Sequence, residues 1–293
     1  MSSVHTIRSA RQRLKSALLP LYGERESTII SDWVIEFDTG NTREYCRMHP
    51  DQILDPSISE RLETHLEELL RWRPVQYILG EAWFMGEAFR VDERVLIPRP
   101  ETEELVQWVT AYVQSEKSHQ TSGLRILDIG TGSGCIPISL KAALPSATIW
   151  SLDASEGALE VARANARVKK ADIHFLHLDV LDDQCRSLIP EVDIIVSNPP
   201  YVLDSDLDQM RPNVIDWEPH MALFVEGPDP LLFYQRIAEL GLEKLAEGGQ
   251  IFVEIQETQS EAVVDLFRTR GYVEIEARRD FSERDRMVRA RKA

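Results

Sequence analysis

Apolar and polar positions change their period twice along this chain of 293 residues. Over the first eighty residues, apolar side chains recur every three or four positions, at 7–21, 29–37 and 58–72. That spacing lines one face of a helix, so helices are predicted there. Ser57 with Glu60 three positions on has the form of a capping box for the third. The pattern then shortens. Trp83-Phe84-Met85-Gly86-Glu87-Ala88-Phe89-Arg90-Val91 predicts two short strands around Gly86, a hairpin. Leu96-Ile97-Pro98-Arg99-Pro100-Glu101, with one arginine between two prolines, predicts a loop, followed by a helix over 101–115 and a polar connection over 115–123. From Leu124 onward, apolar strands at 125–129, 148–152, 173–178, 192–197, 250–255 and 272–276 alternate with helices at 136–144, 156–168, 231–246 and 260–270. This alternation predicts a mostly parallel sheet covered on both faces, with right-handed connections and ligands at its carboxyl edge. Residues 280–288 read as a terminal hairpin. The chain thus divides into a helical domain at 1–80, a hairpin linker at 81–98 and an α/β domain at 99–293.

Hydrophobic residues make up 43% of the chain and charged residues 28%, enough apolar surface for a sizeable core. No apolar run is long enough to span a bilayer, and no signal-peptide pattern opens the chain. Arg8, Arg11, Arg13 and Lys15, with no acid before Gly23, have the composition of a transit peptide. The helical spacing of Ile7, Leu14, Leu18 and Leu19 reads instead as a first surface helix. The formal charge of −16 repels polyphosphate and disfavours large nucleic-acid substrates, although the C-terminal stretch is locally basic. Cys46, Cys135 and Cys185 are odd in number and far apart. They read as reduced thiols of a cytoplasmic protein, without a disulfide framework or zinc site. His174 and His177 lie in a strand at a spacing that sends them to opposite faces, which does not suit a metal.

Three motifs carry candidate chemistry. Asn198-Pro199-Pro200-Tyr201 follows the apolar run 192–197. Proline has no N–H, so the backbone there offers carbonyl acceptors and almost no donors, beside one amide side chain. A site of that kind suits a substrate NH₂ group. Asp128 precedes Gly130-Thr131-Gly132-Ser133-Gly134, where the first strand of the α/β region meets its helix. The glycines allow a sharp turn and close approach to a ligand. The spacing is not that of the dinucleotide fingerprint, and the lysine of a phosphate loop is missing. A ligand without phosphates is favoured, and Asp128 suits a cationic amino-acid head group or a sulfonium. Asp153 ends the second of these strands, where an acid can accept from both ribose hydroxyls of a nucleoside; its other reading is a helix cap, for which Ser155 competes. Asp179, after the third, can accept from an adenine amino group, with Asp182 and Asp183 as rivals. Gly248-Gly249-Gln250 reads as a tight turn before the fifth strand.

Together these motifs resemble a class I S-adenosylmethionine-dependent methyltransferase of the branch that modifies amino groups. The stretches Phe84-Met85-Gly86-Glu87-Ala88-Phe89 and Val95-Leu96-Ile97-Pro98-Arg99-Pro100-Glu101-Thr102-Glu103-Glu104-Leu105-Val106 resemble the release factor glutamine methyltransferase (PrmC/HemK) family. The resemblance covers nearly the whole chain, strongly from about Pro74. It implies an α/β, Rossmann-like, mostly parallel seven-stranded sheet, preceded by a helical substrate-recognition domain and a β-hairpin linker. It implies transfer of a methyl group from S-adenosyl-L-methionine, leaving S-adenosyl-L-homocysteine. The acceptor would be the glutamine amide nitrogen of the Gly-Gly-Gln loop of class 1 peptide-chain release factors.

By the matching motifs, Asp128, Gly130, Thr131, Gly132, Ser133, Gly134, Asp153, Asp179, Val180 and Asn198 would hold the methyl donor. Val180 stands where the family often has an aromatic residue, leaving no ring there to stack on adenine. Asn198, Pro199 and Tyr201 would be catalytic, and would bind the glutamine with Pro200 and Arg99. Arg99 has a second reading, an ion pair with Glu101 or Glu103. A monomer without a bound metal or a nucleic-acid substrate is expected. The rivals are a DNA or RNA exocyclic amino methyltransferase, a dinucleotide-dependent oxidoreductase and a noncatalytic binding module.

Overall fold

The computed structural model describes residues 6–116, 123–203, 206–207 and 210–293. Most of the polar connection expected over 115–123 lies outside them. Two compact units emerge, Met1–Gly80 with Arg211–Trp217, and Glu81–Met210 with Glu218–Ala293.

The first unit is helical. Helix α1 (Ile7–Thr39) runs through both of the first two predicted helices and kinks where Gly23 leaves helical geometry (φ 73°, ψ 177°). Ile7, Leu14, Leu18, Ile30 and Val34 bury its apolar face against Leu62, Leu66 and Leu69 of α3 (Pro56–Leu69). Asp55, not Ser57, caps α3, accepting from Ser57 N at 2.8 Å. Pro56 decides this, because its fixed φ and missing N–H suit the first helical position. Short helices α2 (Arg43–Met48) and α4 (Val75–Leu79) complete the N-terminal part. Buried Asp32 is held by Arg11 at 2.5 Å and Arg43 at 2.8 Å. The segment 211–217 contains α8 (Pro212–Ile215) and joins this unit through specific contacts. Arg211 pairs with Glu26 at 2.7 Å, and Trp217 Nε1 donates to the Arg71 carbonyl.

The second unit opens with the hairpin β1 (Glu81–Phe84) and β2 (Glu87–Arg90). Met85 and Gly86 turn it with positive φ at both positions (53° and 76°), the geometry that matches strand twist in a two-residue turn. Next come α5 (Pro100–Glu116), β3 (Arg125–Ile129), α6 (Cys135–Ala143), β4 (Thr148–Asp153), α7 (Glu156–Lys169), β5 (His174–His177) and β6 (Val192–Ser197). After α9 (His220–Leu223) and α10 (Leu232–Lys244), the chain ends with β7 (Leu245–Glu254), α11 (Ser260–Thr269), β8 (Val273–Arg279) and β9 (Asp285–Arg291).

The sheet order is β5-β4-β3-β6-β7-β9-β8, with β9 antiparallel to both neighbours and the rest parallel. Central strands are apolar on both faces because both are covered. Ile126, Ile194, Val196 and Phe252 pack toward α5 and α6, while Leu127, Ile129, Ile195 and Val253 pack toward α10 and α11. Burying each such side chain contributes roughly 1.5–3 kcal/mol. Gly248-Gly249-Gln250 is not a turn before β7 but lies within it. Val192 pairs with Leu245 and Ile194 with Gln250, so the extra residues bulge out of the ladder. A β-carbon at Gly249 would sit 2.9 Å from the Ala246 carbonyl oxygen, so the bulge has no room for a side chain there. Residues 280–284 form the turn between β8 and β9, longer strands than the apolar pattern alone outlines.

Candidate active site

The strand order reverses between β3 and β6, and a crevice opens at such a point beyond the carboxyl ends. Ile129 pairs with Ser197 there, so Gly130 and Asn198 emerge side by side. A β-carbon on Gly130 would lie 3.8 Å from the Asn198 carbonyl oxygen. A cavity of about 350 Å³ occupies this crevice, a size suited to a small-molecule ligand. Gly130, Gly132, Asp153, Asp179, Val180, Asn198, Pro199 and Pro200 line it.

Asp128, Thr131, Ser133 and Gly134 lie behind the lining and hold its shape. Asp128 is fully buried; its Oδ2 accepts from Ser151 Oγ at 2.6 Å and from Thr131 Oγ1 at 3.1 Å. Its Oδ1 meets no hydrogen-bond partner among the described residues. Burial pushes this carboxyl up to about 7, against the pull of the two hydroxyls. Gly134 caps α6 at φ 82°, and a β-carbon there would come within 3.1 Å of Ala162 Cβ on α7. The glycine thus permits the helices to approach, besides making the turn.

The turn directs most of its own N–H groups inward. Gly130 N and Thr131 N donate to the Leu152 carbonyl, Gly134 N donates to the Thr131 carbonyl, and Gly132 N donates to Asp153 Oδ2 at 2.8 Å. These four N–H groups are therefore committed within the protein and not free for a phosphate. Arg94, the cationic residue among those lining the cavity, is paired with Asp92 and Glu160, each at 2.7 Å.

Asp153 Oδ1 accepts from Ser155 N at 2.8 Å, and Ser155 itself caps α7 through Ala158 N. Each Asp153 oxygen keeps further acceptor capacity, and burial holds the carboxyl above its ordinary value. Asp179 Oδ1 accepts from Leu181 N at 2.8 Å, and Val180, on the lining, also packs into the core. These residues fit a nucleoside with vicinal hydroxyls and no phosphate.

Asn198 Nδ2 donates to Thr102 Oγ1 at 3.1 Å, and its Oδ1 has no hydrogen-bond partner among the described residues. Tyr201 lies beside this group, off the cavity lining, and its hydroxyl donates to Glu254 Oε1 at 3.4 Å. Burial pushes the Tyr201 phenol well above its usual value. Arg99 also stays off the lining. It pairs at 2.6 Å with the buried carboxylate of Glu218, and not with Glu101 or Glu103. Glu218 also accepts from Ile97 N at 3.2 Å, so the proline-bracketed loop is fastened across 121 residues of sequence.

Other contributors were not among the expected site residues. Val95 and Leu96 line one wall, and Met221, Phe224 and Phe233 line another. Asn165 of α7 accepts from Arg90 N, and donates to the Arg90 and Ser133 carbonyls. It ties the hairpin to the glycine turn. A polar residue on an otherwise buried helix face was the available signal for Asn165.

A Rossmann-like sheet, a crevice at its carboxyl edge lined by Gly130, Gly132 and Asp153, and an amide followed by prolines on the same crevice are the features of a methyltransferase. Residues 112–215 match the family described as methyltransferase small domain, and residues 5–80 match the PrmC N-terminal domain. Release factor glutamine methyltransferase from Flavobacterium psychrophilum is 40% identical over 283 residues, covering 97% of this chain and 98% of that protein. The protein of the same name from Bacteroides thetaiotaomicron is 42% identical over 244 residues, covering 83% and 84%. The Thermus thermophilus 16S rRNA N2 G1207 methyltransferase, solved with AdoMet and guanosine, shares the fold at a TM-score of 0.51 and 16% identity, covering 73% of this chain and 50% of that one. The chain belongs to the release factor glutamine methyltransferase family. No helix among the described residues is long and apolar enough to cross a membrane.

Proposed function

We propose that this chain methylates the side-chain amide nitrogen of the Gly-Gly-Gln glutamine in class 1 peptide-chain release factors, with S-adenosylmethionine as donor. The observation that carries this reading is the uncommitted Asn198 Oδ1, placed beside donor-free prolines on the cavity that Gly130, Gly132 and Asp153 also line. Asp153 would hold the ribose hydroxyls, Asp179 the adenine amino group, and the Gly130–Gly134 turn the amino-acid portion. When bound, the donor supplies an electrophilic methyl group on a sulfonium.

An amide nitrogen is a poor nucleophile because its lone pair is delocalised into the carbonyl. Asn198 Oδ1 and the Pro199 carbonyl would each accept one N–H of the substrate NH₂. That grip orients the lone pair and favours pyramidal nitrogen, so catalysis rests on positioning and electrostatics. No histidine occurs among the described lining residues, and the released proton goes to water. Pro200 would support the glutamine's aliphatic stem, with Tyr201 next to it off the lining. A Gly-Gly-Gln loop offers few side-chain handles, so selection of the factor needs a larger surface. The helical region 1–80 supplies it in this reading, with Trp33 and Phe37 exposed one turn apart on α1.

The test incubates the full chain and labelled donor with a release factor, ribosomes, RNA and DNA, then maps the label by mass spectrometry. Label on the glutamine amide is expected. Label on a nucleobase amino group instead would overturn the reading in favour of a nucleic-acid methyltransferase.

A further inference from the structure

Two buried polar groups near the site have no part in the chemistry above. Thr102 stands in the first turn of α5 and is 3% exposed; Glu254 ends β7 and is 1% exposed. Thr102 Oγ1 lies 2.6 Å from Glu254 Oε2 and 3.1 Å from Asn198 Nδ2. A threonine hydroxyl has one proton. The 2.6 Å separation is that of a hydroxyl donating to a carboxylate. With its proton committed to Glu254, Thr102 can offer Asn198 only a lone pair.

We infer that Thr102 and Glu254 are positioning residues that set the polarity of the Asn198 amide, holding its NH₂ inward and turning its oxygen to the substrate. This rests on the proposed role of Asn198 and extends it. An asparagine amide is nearly symmetric in shape, so packing alone distinguishes its two orientations poorly. The flipped orientation would aim N–H groups at the N–H groups of the substrate. A one-way chain of hydrogen bonds, Asn198 to Thr102 to Glu254, excludes it.

The device titrates. Burial raises the Glu254 carboxyl to about 7; the Thr102 hydrogen bond, the charge of Arg286 on β9 and the Tyr201 hydroxyl oppose this, and Glu101 on α5 adds to it. Tyr234 of α10 also faces the residue, donating to its backbone carbonyl at 3.1 Å. Once protonated, Glu254 can donate to Thr102, and Thr102 to Asn198, which favours the flipped amide. Turnover should therefore fall as pH drops through about 7.

The experiment has two arms on the full chain. In the first, methyl transfer to release factor and calorimetric binding of S-adenosylhomocysteine are measured for wild type, Thr102→Val, Thr102→Ser and Glu254→Gln. Thr102→Val should lower kcat about ten- to a hundred-fold, the scale of a misplaced reactant, with product binding unchanged. Thr102→Ser should restore most of the rate, and Glu254→Gln should remove the fall in kcat near pH 7. The second arm needs no substrate. In protein labelled with ¹⁵N-asparagine, the Asn198 side-chain signal, assigned by its loss in Asn198→Ala, should titrate near pH 7. It should not titrate in Glu254→Gln, and it should lose its hydrogen-bonded proton in Thr102→Val. A wild type that leaves release factor unmethylated while this signal behaves as described would sink the functional reading and uphold the inference. A Thr102→Val enzyme with full kcat and an unshifted Asn198 signal would overturn the inference.

Discussion

The two sides of the cavity are built by opposite treatments of the backbone N–H. On the β3–β4 side, glycines turn the chain so sharply that Gly130, Thr131, Gly132 and Gly134 donate inward, to Leu152, Asp153 and Thr131. On the β6–β7 side, Pro199 and Pro200 have no N–H to donate. Both sides thus present acceptors, by different means. The Asp153 carboxylate takes its N–H donors from Gly132, 21 residues earlier, and Ser155, two residues later. Asn198 depends on Thr102, 96 residues earlier, which depends on Glu254, 152 residues later. The first side is a local motif that can form as soon as two strands pair. The second is a meeting of three elements and exists only in the complete sheet.

If that division holds, the two sides fail separately. The largest effect is expected from Asn198→Ala, with kcat down about a hundred-fold or more, the scale for one positioned polar group, and S-adenosylhomocysteine affinity unchanged by calorimetry. A loss of product binding of the same size would erase the distinction between the sides. Asp153→Ala should do the reverse, weakening donor binding by about 1.5–3 kcal/mol through lost charge-assisted hydrogen bonds. Calorimetry with NAD as competitor sharpens this, because NAD binding tighter than S-adenosylmethionine would assign the turn to another ligand. Neither side reads the body of a protein substrate. Trp33→Ser with Phe37→Ser should therefore raise KM for intact release factor several-fold, the range of a modest interface contact, and leave KM for a short Gly-Gly-Gln peptide alone. Equal changes for both substrates would remove α1 from substrate selection.

Each side also buries a carboxyl, Asp128 on one and Glu254 on the other, both raised to about 7. The folded state then holds protons that the unfolded chain has already released above pH about 4. Their contribution to stability is fully present below that unfolded value and is lost as pH rises through about 7. Melting temperature measured from pH 5 to 8 should fall along this range, less steeply in Asp128→Asn and in Glu254→Gln; variants as steep as wild type would show that other groups set the slope. The smallest effect is expected from Tyr201→Phe. Its hydrogen bond to Glu254 is long at 3.4 Å, and a change in kcat beyond about threefold would exceed what so weak a contact supports.

Periodicity, together with the glycine and proline positions, was enough to read the order of the strands and of the longer helices in the α/β region from the chain itself; the one-turn helix α9 left no such pattern. Strand residues 125–129 and 192–197 are the same in sequence and structure, because doubly covered strands are mostly apolar and end abruptly. Local signals failed where a neighbour competed. Pro56 moved the α3 cap to Asp55, and a bulge absorbed Gly248 and Gly249 into β7. The turn around Asp128–Gly134 was legible for the reason that made it local: apart from the bond from Asn165 to the Ser133 carbonyl, its hydrogen bonds close over a few residues and one adjacent strand. The tertiary structure alone decided that Arg99 faces Glu218, that Asn165 fastens the hairpin to the glycine turn, and that Thr102 and Glu254 stand behind Asn198. A buried hydroxyl or carboxyl does not reveal its partner by its own neighbours in the chain. The partner is set by strand order and by the helix that crosses the sheet's edge, and those arise only when the whole α/β unit has closed.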